Sequence, residues 1–227
     1  MATLHSSPEF ALGFRVLQPP PAHPTALVLL LHGVGGSENN LLDMAAAIAA
    51  QQPGTLVVLP RGPLTLGPGQ FAWFRVAFSP TGPRIDAAEA DSSRLALIQC
   101  IGQLQQAHGI APQHTVVAGF SQGGIMGAGV GLTAPATVAG FGILSGRILP
   151  ELEPHLAPPA QLTQLQAFVG HGDFDSKLPV AWAERSDHLL TTLGVAHQSR
   201  RYPIDHGISA AMQADFLAWL QTLLPAR

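Results

Sequence analysis

Thr115-Val116-Val117-Ala118-Gly119-Phe120-Ser121-Gln122-Gly123-Gly124 joins two kinds of local structure within ten residues. Thr115 to Ala118 is a β-branched, apolar run and predicts a strand. Gln122 to Leu132 is a run of small and apolar residues, stopped before Pro135, and predicts a helix. A serine between them sits on a sharp strand-to-helix turn with its Oγ lifted above a sheet. Glycines at 119 and 123 are expected because side chains there would collide with neighbouring backbone. The helix dipole at the turn favours the negative charge that develops beside a reacting hydroxyl. With 24 glycines in the chain a bare G-x-S-x-G arises easily by chance, so the flanking strand and helix carry the weight. The plain alternative is an ordinary turn with a capping serine.

Outward from this stretch, short β-type runs alternate with helical ones, which argues for βα units around a parallel sheet. Phe14 to Leu17, Ala26 to Leu31, Thr55 to Leu59, Val138 to Leu144, Leu165 to Val169 and His197 to Tyr202 read as strands. Ala26 to Leu31 is continuously apolar, as in a strand buried on both faces. Ser37 predicts the N-cap of a helix with Leu41, Leu42, Met44 and Ile48 inward. Asp86 with Glu89 forms a capping-box signature, and Gly109 a helix stop, around a face of Leu97, Ile98, Ile101 and Leu104. Another helix is expected from about Pro179 to Leu193, and Ser209 caps a last one through Met212, Phe216, Trp219, Leu220 and Leu223. Residues 61–85, rich in glycine, proline and aromatics without a clear period, read as a long structureless loop, a feature more often functional than idle. No repeat or linker divides the chain, so residues 1–227 are expected to form one domain.

Composition sets the limits of function. In 227 residues, 47% are hydrophobic and only 11% charged, against about 25% in an ordinary soluble domain. Glycine and proline fall below the share that marks low complexity, which excludes a disordered or fibrous chain. Net charge is −3 and the 11 Lys and Arg are scattered, so no footprint for nucleic acid exists. The longest aliphatic run is far shorter than the roughly 20 residues of a membrane span. MATLHSSPEF has neither a basic start nor an apolar core of a signal peptide. Cys100 is the single cysteine, which leaves no internal disulfide and no cysteine-based metal cage; it reads as a small buried hydrophobe. The expectation is a cytoplasmic protein without stable membrane insertion, acting without cofactor or metal.

A nucleophilic serine needs a base, and the base an orienting carboxylate. Ala167-Phe168-Val169 leads into Gly170-His171-Gly172-Asp173-Phe174-Asp175, which puts two acids just past a strand end. Tyr202-Pro203-Ile204-Asp205-His206-Gly207 puts a histidine between the last strand and the last helix. Ser, then Asp, then His is the chain order of the α/β-hydrolases. His206 stands out among ten histidines because its loop brings it over the nucleophile, whereas His171 reads as structural. Asp205 cannot easily curl back to its own neighbour's Nδ1–H, so Asp175 is favoured, with Asp173 in reserve. Leu31-His32-Gly33-Val34-Gly35-Gly36-Ser37 follows a buried strand with free N–H groups at the sheet's carboxyl edge. One of these and the N–H of Gln122 form an expected oxyanion hole. As a phosphate loop the segment fits neither G-x-G-x-x-G nor G-x-x-x-x-G-K-[ST], and no lysine is near.

Taken together, LLLHGVGGSENN, AWF at 72–74, GFSQGG, ILSGRILP, HGDFDSKLPV and YPIDHGIS resemble the phospholipase/carboxylesterase family of α/β-hydrolases over nearly the whole length. That family includes bacterial carboxylesterases and acyl-protein thioesterases. The resemblance implies an α/β-hydrolase fold, a mostly parallel central sheet with helices on both faces; no separate lid domain is expected, because the interval from Leu144 to Leu165 holds only about twenty residues and is broken by Pro150, Pro154, Pro158 and Pro159. It matches the acid to Asp175, the base to His206 and the first oxyanion donor to Val34. Leu178 replaces a usual valine, and residues 61–85 are idiosyncratic. The expected activity is hydrolysis of small carboxylic esters of short to medium acyl chain through a serine acyl-enzyme. Phe71, Trp73 and Phe74, with Leu178 and Ile208 beside the catalytic loops, are candidates for the acyl pocket. Rivals are an acyl-protein thioesterase or lysophospholipase with the same triad, and a non-catalytic hydrolase-fold binding protein, whose usual mark of a missing triad member is not found. Several family members form homodimers, an assembly the resemblance allows here, although no interface is visible in the sequence.

Overall fold

In chain order the elements are β1 (Leu4–His5), β2 (Phe14–Val16), β3 (Ala26–Leu31), α1 (Leu42–Gln51), β4 (Thr55–Pro60), β5 (Leu64–Gly67), β6 (Gln70–Ala72), β7 (Val76–Ser79) and β8 (Gly82–Ile85). Then come α2 (Ala87–His108), β9 (Thr115–Phe120), α3 (Gln122–Thr133), β10 (Gly140–Leu144), α4 (Pro159–Leu162), β11 (Gln166–Gly172), α5 (Ala181–Thr192), β12 (Ala196–Tyr202) and α6 (Ala210–Leu223). The structure, a computed structural model, describes residues 4–5, 7, 9–79 and 82–225. The signal-peptide reading of residues 1–10 and two positions of the 61–85 stretch lie partly outside them.

An eight-stranded sheet in the order β1-β2-β4-β3-β9-β10-β11-β12 organises the chain. From β4 to β12 every neighbouring pair is parallel; β2 joins β4, and β1 joins β2, antiparallel at one edge. β3 and β4 are buried at every position because helices cover both faces of the sheet. Alternate residues feed opposite layers. Leu27, Leu29 and Leu31 pack with α2, α3 and α5, whereas Val28 and Leu30 pack with α1 and α6. Helix α2 starts on the expected cap, the Asp86 side chain accepting from the Glu89 N–H, and stops at Gly109 in a left-handed conformation. Ser209 caps α6 by accepting from the Met212 N–H. Cys100 is core, its thiol pushed up to about 11 by burial.

Two expectations need correction. Ser37 does not cap α1. The helix begins at Leu42 without a side-chain cap, and residues 37–40 form a turn in which the Ser37 N–H donates to Asn40 Oδ1 at 2.6 Å. Short polar side chains compete locally with helical hydrogen bonding, and here they win. Nor are residues 61–85 structureless. They form two antiparallel hairpins, β5–β6 with a bulge and β7–β8, outside the main sheet. Strands of three and four residues among glycines and prolines are too short for periodicity to announce. Between β10 and β11 there is only a 3-10 turn over Pro150–His155 and the single turn of α4, and no lid domain.

Candidate active site

The carboxyl ends of β3, β9, β11 and β12 carry the loops of interest, the edge where open α/β sheets bind ligands. Ser121, between β9 and α3, sits at φ 52 and ψ −117, a strained conformation for a residue with a Cβ. It is held there because its N–H donates to Leu144 O and its carbonyl accepts from the Ile125 N–H. The glycines around it answer to space. A Cβ on Gly123 would lie 2.1 Å from Leu31 O, and one on Gly119 2.4 Å from the Gly123 carbonyl carbon. Helix α3 can therefore leave the sheet at this steep angle only with glycine at both positions.

Two further loops converge on the serine. His206 Nε2 lies 2.9 Å from Ser121 Oγ, and His206 Nδ1 lies 2.8 Å from Asp175 Oδ2. The other oxygen of Asp175 accepts from the N–H groups of Lys177 and Leu178, at 2.9 and 2.7 Å, so the buried carboxylate cannot rotate. Asp173 is instead paired with Arg201 at 2.6 Å on the surface. Asp205 bridges the acid and base loops, accepting from the N–H groups of Ser176 and His206, each at 2.7 Å. Those two donors, Ser176 first, hold its carboxyl below the usual range. His171 is fully buried and binds Leu178 O through Nε2 at 2.7 Å, the structural role expected of it. The ring of Phe120 packs against His206 at 4.9 Å.

Facing the nucleophile is the loop after β3. The N–H groups of Gly35, Gly36 and Ser37 are spent on Phe71 O, Gly33 O and Asn40 Oδ1. The N–H of Val34 and that of Gln122 at the start of α3 have no acceptor among the described residues. His32 pins this loop, its Nε2 accepting from the Gly62 N–H and its Nδ1 donating to Gly33 O. Burial lowers the pKa of His32, in keeping with a neutral ring bonded on both sides. Below it, buried Glu38 takes a two-pronged bond from Arg61 and another from Arg15.

The aromatic stretch has a different role from the one expected. Trp73 and Phe74 are 0% and 1% exposed, so they offer no surface to a substrate and are removed from the acyl pocket. Trp73 is a clamp instead. Its indole N–H donates to His32 O at 2.9 Å, its backbone N–H to Gln122 Oε1 at 2.8 Å, and its carbonyl accepts from Ser93 Oγ. The Gln122 amide also donates to Phe74 O at 2.7 Å. One segment thus locks the loop after β3 to the helix after β9. Phe71 is half-buried under the Arg61 guanidinium, and Leu178 and Ile208 are half-buried beside the acid and base. The sequence reading also missed Ser145, at φ 51, whose Oγ donates to Gly207 O and ties β10 to the histidine loop. Its only signal was Ser-Gly following a strand, too common a pair to single out.

A strained strand–serine–helix turn, with aspartate and histidine supplied in that order by later loops of a parallel sheet, is the arrangement of an α/β-hydrolase. Residues 13–224 match the phospholipase/carboxylesterase family, and the chain belongs to it. Acyl-protein thioesterase 1 of Mycosarcoma maydis is 29% identical over 229 residues, covering 90% of this chain and 93% of its own. Among solved structures, esterase PE8 superposes with a TM-score of 0.80 at 25% identity, covering 92% of this chain and 97% of its own. A carboxylesterase from Mesorhizobium loti gives 0.81 at 22% identity, covering 97% and 98%. The protein is a hydrolase of the esterase or thioesterase type. No helix among the described residues is long and apolar enough to cross a membrane.

Proposed function

We propose that this chain is a serine carboxylesterase that cleaves small esters of short to medium acyl chain. The observation that carries the reading is the unbroken line from Ser121 Oγ through both nitrogens of His206 to Asp175 Oδ2, at 2.9 and 2.8 Å. Asp175 accepts from Nδ1–H, which leaves Nε2 free to take the serine proton. Ser121 Oγ then bonds to the ester carbonyl carbon, and the carbonyl oxygen becomes an oxyanion facing the N–H groups of Val34 and Gln122. As the intermediate collapses, the bond to the leaving alkoxide breaks and His206 returns the proton to it. Water, deprotonated by the same nitrogen, attacks the acyl-enzyme and releases the acid and Ser121.

The preference for short chains is supported by the brevity of the segment between β10 and β11. An open site gains roughly 0.8 kcal/mol per methylene it covers and nothing for the part left in water. The rate should climb over the first few carbons and then level, with no jump when emulsion droplets form. A thioesterase is the second reading, favoured by the curated relative's name. Two measurements test the proposal: labelling of Ser121 by a fluorophosphonate, and kcat/KM on oxygen esters and thioesters matched in acyl group. No labelling removes the serine mechanism; a strong preference for the thioester moves the enzyme to the second reading.

A further inference from the structure

Beside the candidate triad lies a cation for which that chemistry has no use. Arg147 follows β10 by three residues, at the same carboxyl edge of the sheet as Ser121. Its neighbours tie it to the site: Ser145 is bonded to Gly207 of the histidine loop, and a Cβ on Gly146 would stand 2.8 Å from the carbonyl of Ser121. The side chain turns toward the first turn of α5, just after the acid loop, and its guanidinium carbon stacks 4.2 Å from the Trp182 ring. Only 7% of Arg147 is exposed. Its Nε is closed off from solvent without an acceptor, and the guanidinium makes no hydrogen bond or ion pair with any described residue.

That is a costly way to keep a charge. Arg147 Nε is cut off from water, its two terminal nitrogens are not, and the cation–π contact makes good only part of the hydration the ion has lost. Arg185 stacks on the same indole at 4.7 Å, and its repulsion is smaller than the attraction of Glu151. Burial lowers the pKa of Arg147, Glu151 acts on it only through space, and Arg185 opposes it. A groove of about 450 Å³ runs past the other side of Trp182, walled by Ile148, Leu152, Glu153, Trp182, Arg185 and Leu189 and bordered, not lined, by Arg147. By contrast, the buried carboxylate of Glu38 is fully paired, so this chain does not leave charges unmet everywhere. The partner such a guanidinium suits is an anion with planar or tetrahedral oxygens, bound through two N–H groups.

We infer that Arg147, stacked on Trp182 and seconded by Arg185, is a recognition site for an oxyanion carried by the ester substrate, either a carboxylate or a phosphate. The site rests on the esterase reading for its substrate, but its binding is separable from turnover. An anionic ester would dock this group beside α5 while its carbonyl reaches Ser121, so selectivity is set by charge as well as by chain length.

The test compares matched pairs in the full chain and in R147Q and R185Q. Mono-p-nitrophenyl glutarate is set against p-nitrophenyl pentanoate, and butyryl glycerophosphate against monobutyrin. Hydrogen bonds to charged groups are each worth about 1.5–3 kcal/mol, so the anionic-to-neutral ratio of kcat/KM should fall about tenfold or more in R147Q. A smaller fall is expected in R185Q, whose side chain is exposed. The pair that responds identifies the oxyanion. A ratio unchanged in R147Q for both pairs overturns the inference. In the unmodified chain, calorimetry with glutarate and with glycerophosphate reads the site without turnover or mutation, and failure to bind either anion also overturns it. If no ester is cleaved but an anion binds and R147Q weakens it, the esterase reading falls and the anion site stands.

Discussion

Ser121 holds a backbone conformation that a serine adopts only when the structure around it leaves no other. Its hydroxyl contributes little to packing, so S121A should keep the fold and lose turnover. The oxyanion donors and binding can retain roughly 10³–10⁴-fold over water. A melting curve and kcat measured on the same preparation check both halves, and retention of more than about a tenth of the activity points to another nucleophile. The two neighbouring acids separate as sharply. Asp175 is buried and meets His206, whereas Asp173 meets Arg201 at the surface. D175N should lower kcat by about 10⁴, because the imidazole loses the acceptor that fixes its tautomer, while D173N removes only a surface pair worth about 0–1 kcal/mol. If D173N proves the more damaging, the acid is misplaced by two residues.

At the scale of elements, the site depends on two loops being held at a fixed separation, and the side chain of Gln122 does this. Its amide bonds both Trp73 and Phe74, coupling the loop after β3, through the indole of Trp73, to the start of α3. Q122A leaves the buried Trp73 N–H and Phe74 carbonyl unpaired, at about 1–3 kcal/mol for each such group. It should lower the melting temperature and kcat together, with a smaller change in KM. A variant that melts early yet keeps full kcat would show that the clamp supports the fold alone. Whereas the clamp is made of neutral groups, the other brace of this loop is charged and therefore responds to pH.

Across the whole molecule, Glu38 fastens residues near three strands: its own loop after β3, Arg15 on β2 and Arg61 just past β4. Burial raises the carboxyl, but the fork of Arg61, its own backbone N–H and Arg15 outweigh burial and hold it at about 2, against 4.5 for a free glutamate. Between those values the unfolded chain binds a proton that the folded one does not, so stability rises with pH there. The contribution is complete above about pH 5 and lost as pH falls toward 2. Denaturant unfolding from pH 6 down to 2 should show this loss, and E38Q should flatten it. Because E38Q leaves two arginines facing a neutral amide, it should also cost about 3–5 kcal/mol at neutral pH. A pH profile identical in the two proteins would mean that other carboxylates govern acid unfolding.

The sequence by itself determined the parallel α/β layering, the strand–serine–helix turn, the Ser, Asp, His order and the caps of α2 and α6. Each of these rests on contacts between residues close in the chain, or on buried strands whose apolar runs are legible without partners. Only the tertiary structure decided that residues 61–85 form hairpins and that Trp73 clamps the loop after β3 instead of lining a pocket. It alone showed Asp173 bound to Arg201, Ser37 held in a turn, and Arg147 stacked on Trp182 with no hydrogen bond to any described residue. A tryptophan in a core and one at a pocket wall have the same letter and the same local pattern. What distinguishes them is which carbonyl its N–H meets, here His32 O, 41 residues away. Burial and hydrogen-bond partners are properties of the assembled sheet and its loops, and no window along the chain contains them.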